Sequence, residues 1–148
     1  MKALRKPPRH TFVFKIRVDG EKDRTITAKA NVRRGKKIVE LLLTAADVRR
    51  SIQLKGVGNT QTCSMAVCAL RHAKAFPHPV QGFIDWQYRR AFVVSKVGRE
   101  TGLPIECVAY QHQDDIAKLN DSVGGQRKLL AILEQNGDRM IRLHPIKI

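Results

Sequence analysis

Apolar and polar residues alternate in two stretches near the N-terminus of the chain. Residues 11–18 place four apolar side chains on one side, namely Phe12, Phe14, Ile16 and Val18. Residues 25–32 alternate in the same way and place a second apolar set on one side, namely Ile26, Ala28, Ala30 and Val32. A period of two is that of a strand with one buried face. Because only the short polar stretch DGEKDR separates the two, we predict an antiparallel hairpin.

The middle of the chain changes from strand to helix patterns. The stretch IVELLLT (38–44) predicts a third strand. Thr44 with Asp47 three residues later resembles a capping box, so a helix is expected over 45–54. A second helix is expected over 63–76, where small apolar residues recur at spacings of three and four before PHP ends it.

The C-terminal half predicts a second hairpin over 82–97, with a turn at YRR, and a short strand over 105–110. The stretch QDDIAKLNDS predicts a helix capped by Asp114. Gly124-Gly125 are expected to break the chain before a helix over QRKLLAILEQNG, closed by Gly137. The last strand over 138–148 is expected to end at a sheet edge or outside the sheet because of Pro145.

These elements together predict an α+β fold with two β-hairpins, additional short strands and three to four helices. A chain of 148 residues suits one domain with one core. Residues 1–10 differ from the rest, because Pro7-Pro8 favours an extended backbone and four cations accompany it. We therefore predict a basic extended arm over 1–10 and a single domain over 11–148.

The charge of the chain is strongly positive and unevenly distributed. The formal net charge is +15, with 28 Lys and Arg against 13 Asp and Glu. Residues 1–37 hold 13 of the cations and 3 of the acids, a net charge of +10. Such a surface favours a polyanionic partner, which can be nucleic acid, an acidic membrane surface or an acidic protein surface.

The cysteine count and the apolar stretches bear on the cellular location. Three cysteines without a C-x-x-C pair do not indicate a disulfide framework, so a reducing compartment is the simpler interpretation. No apolar stretch follows the N-terminal charges and none is long enough to span a bilayer. We expect a protein that is not secreted through a signal peptide and has no membrane partner.

Candidate metal and catalytic sites are weakly supported. Cys63, Cys68, His72 and His78 are spaced C-x4-C-x3-H-x5-H, but cysteines five apart on a helix point in different directions, so buried packing is favoured and no metal is expected. Cys63 near a helix start could have a lowered pKa.

Carboxylates and loops add no catalytic signature. Asp114-Asp115 fit a helix N-terminus, and Asp85 fits a charge pair with the Arg89-Arg90 turn. GVGNTQT lacks the G-K-[ST] ending of a phosphate loop. We expect no cofactor and no catalytic residues.

The basic residues are the strongest signal in the chain. The arm, the outward face of the first hairpin and the run RRGKK form one nearly continuous cationic stretch, which suits phosphate binding. The predicted nucleic-acid-binding residues are Lys2, Arg5, Lys6, Arg9, Lys15, Arg17, Lys29, Arg33, Arg34, Lys36 and Lys37. Trp86 and Tyr88 beside Arg89-Arg90 are a candidate stacking platform, although packing of Trp86 in the core is favoured.

The central stretch from residue 38 to residue 97 resembles small proteins of tailed phages and prophages. The resemblance is carried by a strand, a Thr-capped helix, an Ala-rich helix with cysteine and a hairpin, at Thr44, Asp47, Val48, Cys63, Ala66 and Ala69. The long basic N-terminus departs from that pattern. The resemblance implies a viral origin, hence the host cytoplasm or a virion, and implies no particular activity.

Three functions follow as hypotheses. The first is a non-enzymatic, phage-encoded nucleic-acid-associated protein that holds phosphate through its basic arm and hairpin. The alternative is a virion structural subunit, associated with the capsid or tail, whose arm docks on an acidic neighbouring subunit in a larger assembly. A metal-dependent nuclease is the third, and it would need carboxylates that converge on one cation.

Overall fold

Seven strands and four α-helices are present in the computed structural model, which describes residues 8–16, 22, 24–56, 59–113 and 116–146. The strands are β1 (Arg9–Ile16), β2 (Arg24–Arg34), β3 (Val39–Leu43), β4 (Ile84–Gln87), β5 (Arg90–Val97), β6 (Pro104–Gln111) and β7 (Arg139–Pro145). The helices are α1 (Ala45–Gln53), α2 (Ser64–Arg71), α3 (Ile116–Asn120) and α4 (Val123–Asn136), with a 3-10 turn at Ala73–Ala75. The α+β class is confirmed.

The strands form a mixed sheet in the order β1-β2-β6-β5-β4. Both predicted hairpins are present, since β1 pairs with β2 and β4 pairs with β5, each antiparallel. β2 and β6 run parallel, with Arg34 opposite Ala109 at the end of their pairing. Beyond that point β7 pairs with β6 at Tyr110 and Gln111, and along the rest of its length β7 pairs with β3. β5 pairs with one edge of β6. On the other edge, β2 pairs with the first part of β6 and β7 pairs with the last two residues. The chain after Arg34 therefore has to leave the sheet, because β7 occupies the next positions along β6.

The larger core lies on the face of the sheet that the helices cover. It consists of apolar side chains from β3, β7 and the helices that pack against one face of β4, β5 and β6. Buried examples are Leu41, Val48, Met65, Val93 and Ile141. The predicted stripe of small residues in α2 belongs to this core, because Ala66 and Ala69 are buried. Small side chains let the helix lie close to the strands.

A second core fills the opposite, concave face. Phe12 and Phe14 of β1 meet Phe83 and Phe92 from the other end of the strand order, with the rings of Phe14 and Phe83 5.0 Å apart. The sheet therefore curls until its two outer strands touch through side chains. The predicted alternation is confirmed, because Phe12 and Phe14 are buried while Val13 on the other face is exposed.

Several helix ends follow the sequence signals. Thr44 and Asp47 form a complete capping box, in which Thr44 Oγ1 accepts from the Asp47 N–H at 3.3 Å and Asp47 Oδ2 accepts from the Thr44 N–H at 3.0 Å. Gly137 closes α4 with a positive φ of 84°, as predicted.

Three predicted boundaries are wrong. β1 begins at Arg9, so Arg9 and His10 belong to the sheet rather than to the arm. α2 ends at Arg71 and continues as a 3-10 turn. Gly124 and Gly125 lie inside the first turn of α4, because Ser122 caps the helix by accepting from the Gly125 N–H at 2.9 Å.

Two predictions fall partly or wholly outside the described residues. They concern the arm before Pro8 and the helix cap at Asp114. Pro145 is the last residue of β7 and pairs with Tyr110 of β6. The pairing of β7 with β3 covers only Arg139–Leu143, so within the described residues Pro145 has a paired strand on one side. Within the described part of the chain, none of the helices combines the length and apolar composition needed to cross a bilayer.

Candidate anion-binding cleft

A basic cleft of about 1350 Å³ lies at one end of the curled sheet. Among the described residues that line it, none is Asp or Glu, and six are cations. These six, called the cleft cations below, are Arg9, Arg33, Arg34, Lys36, Lys37 and Arg90. A concave surface with one sign of charge concentrates the field and attracts polyanions.

Strand directions explain why the cleft cations meet. β2 and β6 run parallel, so β2 ends in Arg33 and Arg34 at the end of the sheet where β6 also ends. β5 runs antiparallel to β6 and therefore begins there, with Arg90 opposite Gln111. β1 is antiparallel to β2 and also begins there, with Arg9 opposite Asn31. The topology thus gathers residues that are up to 81 positions apart in sequence.

Gly35 fixes the basic run RRGKK against the core. Its N–H donates to the carbonyl of Ala109 at 3.0 Å. The ring of Tyr110 lies so close that a Cβ at position 35 would be 2.1 Å from Tyr110 Cε1. Only glycine allows this approach, so Lys36 and Lys37 leave the sheet from an anchored turn.

His10 forms the wall of the cleft nearest to β4. Its ring stacks on Phe92 with centroids 3.7 Å apart, and its Nε2 lies 2.7 Å from Asp85 Oδ2. The same carboxylate oxygen accepts from Gln87 Nε2 at 3.0 Å. The predicted pairing of Asp85 with Arg89-Arg90 is therefore wrong, because the curl of the sheet brings β1 to Asp85 and Phe92 faces it within the hairpin.

His78 lines another wall of the cleft and pairs there with the buried Tyr110. His78 Nε2 lies 2.7 Å from the Tyr110 hydroxyl, and His78 Nδ1 lies 2.8 Å from the carbonyl of Pro79. Burial lowers the pKa of His78, and the positive charge of Arg33 lowers it further. Burial also raises the pKa of Tyr110 to about 12. His78 and Tyr110 therefore add no charge to the cleft near pH 7.

The predicted phosphate-binding residues divide into three groups. Five meet in the cleft, namely Arg9, Arg33, Arg34, Lys36 and Lys37. Lys15 and Lys29 lie on the exposed face of the first hairpin and do not line the cleft. Lys2, Arg5, Lys6 and Arg17 lie outside the described residues.

Arg90 is the cleft cation that sequence reasoning did not assign to phosphate binding. Its neighbours suggested a stacking platform instead, but Trp86 is buried and its ring stacks on His112 with centroids 4.2 Å apart. Tyr88 is exposed, and the Arg89 guanidinium lies over its ring, 5.2 Å from the ring centroid. Only the pairing of β5 with β6 shows that Arg90 reaches the cleft.

The cysteines and histidines of the C-x4-C-x3-H-x5-H series do not all meet at one point, although Cys68 and His72 share a neighbour. Cys63 caps α2 by accepting from the Ala66 N–H, while Cys68 and His72 contact the carbonyl of Leu42. Burial raises the pKa of Cys63 and of Cys68, so a lowered pKa at Cys63 is contradicted. No group of three or more His, Cys, Asp and Glu that could hold a metal ion occurs among the described residues.

The chain was compared with known proteins. No protein-family model, curated protein or solved structure matches it.

Proposed function

We propose that this protein binds the phosphate backbone of nucleic acid in the basic cleft, without catalysing a reaction. The observation that carries the proposal is the convergence of six Lys and Arg side chains on one concave surface whose described lining holds no carboxylate. Cations at this density neutralise phosphates and release counterions from the nucleic acid.

Three arginines outside the cleft form ion pairs with carboxylates, whereas among the described residues the cleft cations do not, and this contrast supports the proposal. Arg71 pairs with Asp47, Arg49 with Glu134 and Arg142 with Glu40. Within the described residues, none of the cleft cations forms an ion pair with a carboxylate. Six cations held together without counter-charge repel one another, and a bound polyanion would relieve that repulsion.

The exposed hairpin face extends the cationic surface beyond the cleft. Lys29 stands opposite Thr11, and Lys15 stands opposite Thr25 on the same face of the hairpin. Arg33 follows Lys29 on that face of β2 and lines the cleft. A path of phosphates can therefore run from the cleft along the hairpin. The origin in a phage and the alternative role as a virion subunit stay predictions.

The test compares two double variants that remove the same charge. Lys36→Gln/Lys37→Gln changes the cleft, and Arg50→Gln/Lys128→Gln changes exposed helix residues that do not line it. Fluorescence anisotropy with labelled duplex DNA measures affinity from about 50 to about 300 mM salt. The cleft variant should weaken binding and reduce the slope of log K against log[salt] by about 2, since each phosphate contact contributes about 0.9.

The control variant should keep nearly the affinity and the slope of the unchanged protein. Equal losses in both variants, or a flat salt response, would show that the cleft is not the binding site. A polyglutamate competitor that binds as tightly as DNA would instead favour an acidic protein partner and would overturn the proposal.

A further inference from the structure

The residues that line the basic cleft differ in exposure according to their chemistry. The six cleft cations are all exposed to solvent. Five apolar residues of the lining are buried or half-buried instead, namely Val32, Phe92, Val108, Ala109 and Ile146. The cleft therefore has a charged rim and an apolar floor.

Val32 and Ile146 provide the accessible part of this floor. The other three apolar residues are at most 9% exposed, whereas these two are half-buried. Both pack against the concave core and so continue that core to the surface of the cleft. Val32 is fixed in position, because its N–H donates to the carbonyl of Pro8 at 2.9 Å. A ligand that covers both side chains would remove apolar surface from water.

Rim and floor together define what the ligand must offer. The cations of the rim need phosphates, and phosphates gain nothing from contact with aliphatic side chains. A duplex presents its phosphates outward and keeps the faces of its bases stacked inside, so it would leave the floor in water. A single strand carries the same phosphates, and its unstacked bases are free to cover an apolar surface.

We propose that the cleft selects single-stranded over double-stranded nucleic acid, with phosphates on the cationic rim and bases against Val32 and Ile146. This inference rests on the proposed function and adds a strand preference to it. The volume of about 1350 Å³ exceeds that of a site for one small molecule and suits several linked nucleotides. Aliphatic side chains distinguish the bases poorly, so we expect little sequence preference.

Three probes of equal length test the strand preference on the unchanged protein. They are oligo(dT), its duplex with oligo(dA), and a strand of abasic sites that carries the phosphates without bases. Fluorescence anisotropy should show that oligo(dT) binds about 10-fold more tightly than either of the other two. The advantage over the abasic strand should persist as the salt concentration rises, because contacts to bases release no counterions.

Two double variants with the same chemical change test the floor. Val32→Thr/Ile146→Thr makes the floor polar, whereas Ile26→Thr/Val97→Thr changes two half-buried residues that pack against the same core and do not line the cleft. The floor variant should lose about 10-fold in affinity for oligo(dT) and stay within about 2-fold for the duplex. The control variant should keep both affinities. Retained duplex binding also shows that a variant is folded.

The outcomes separate this inference from the proposed function. Equal affinities for oligo(dT), the duplex and the abasic strand would overturn the strand preference and leave phosphate binding in the cleft intact. Equal losses of oligo(dT) affinity in the floor and control variants would contradict the placement of the bases. Lys36→Gln/Lys37→Gln should weaken binding of all three probes, since each carries phosphates. Absence of binding by any probe would overturn both proposals.

Discussion

At the scale of single residues, Gly35 determines where the basic run is placed. It bonds to Ala109 and leaves no space for a side chain beside the Tyr110 ring. Tyr110 in turn is fully buried and bonded to His78, so the ring cannot move aside easily. The position of Lys36 and Lys37 therefore depends on the absence of one methyl group.

Gly35→Ala should destabilise the protein by about 1–3 kcal/mol, the usual range for overpacking. It should also weaken DNA binding, because the displaced turn carries two cleft cations. Urea unfolding and anisotropy measure the two effects. In a double-mutant cycle with Tyr110→Leu, which removes the ring, the cost of Gly35→Ala should be smaller than in the unchanged protein. A cost that is independent of position 110 would contradict the proposed clash.

Asp47 is the second single residue on which the contacts between several elements depend. It is nearly buried and accepts from Arg71 Nε and Nη2, each at 2.8 Å, while Arg71 also reaches the carbonyl of Leu42. Burial raises the pKa of Asp47, but hydrogen bonds and charge from Arg71 and bonds from Thr44 lower it by more, so the net shift is downward. The Asp47 carboxylate of α1 thus holds Arg71 of α2, and Arg71 in turn bonds to β3.

The downward pKa shift predicts a pH dependence of stability. A lowered folded-state pKa stabilises the fold at pH values above the unfolded pKa of about 4, and this contribution is lost as the pH falls through the folded pKa. Asp47→Asn should cost about 1–3 kcal/mol at pH 7, and the difference from the unchanged protein should shrink below about pH 4. Urea unfolding across this range measures it, with exposed Glu100→Gln as control. A difference that is constant with pH would refute the role of the ionised carboxylate.

At the scale of elements, the start of α4 shows how two adjacent glycines can differ. The helix begins at Val123 with Ser122 as its cap, although Gly124 and Gly125 suggest a break. A Cβ at Gly125 would lie 2.4 Å from the carbonyl oxygen of Leu119 in α3, whereas a Cβ at Gly124 would meet nothing within 4 Å. Gly125 therefore permits the close contact between α3 and α4, and Gly124 has no such role.

Matched substitutions test this difference. Gly124→Ala should stabilise the protein by about 0.5–1 kcal/mol, because alanine favours the helix and restricts the unfolded chain. Gly125→Ala should destabilise it by about 1–3 kcal/mol, because the backbone of Leu119 cannot move away without disturbing α3. Thermal unfolding followed by circular dichroism measures both. Equal effects would show that the α3–α4 contact is looser than described.

At the scale of the whole molecule, one curled sheet lies between two hydrophobic cores and contributes side chains to both. The helix-side core includes Trp86, and the concave core includes Phe12 and Phe14. β1 closes the concave core by touching β5 and the residue before β4 through Phe92 and Phe83. Because the same strands line both cores, the two should unfold together.

Phe14→Ala tests this coupling. The loss of a buried aromatic ring should cost about 3 kcal/mol. Trp86 fluorescence, which reports on the other core, and far-UV circular dichroism should both show the lower denaturant midpoint, and their transitions should coincide. Val13→Ala, the exposed neighbour, should change stability by less than about 0.5 kcal/mol. Trp86 fluorescence that keeps its midpoint in Phe14→Ala would show two independent units.

Local patterns predicted most elements because their causes are local. Alternation around Phe12 and Phe14, the pair Thr44 and Asp47, and Gly137 each act over a few residues. The predicted break at Gly124-Gly125, with a helix start at Gln126, was wrong for a different reason. Gly125 serves a tertiary contact, the close approach of α4 to Leu119. The basic character of the site was also predictable, but Arg90 and His10 were not, because their neighbours in space are distant in sequence.

The amino-acid sequence by itself determined the α+β class, both hairpins, the capped helix and a strong excess of positive charge near the N-terminus. Only the tertiary structure decided that five of the predicted cations meet Arg90 in one cleft while Lys15 and Lys29 stay on an open face. It also decided that Asp85 faces His10. The physical reason is that periodicity and caps depend on neighbours along the chain, whereas the parallel pairing of β2 with β6 and the curl of the sheet depend on packing between distant segments.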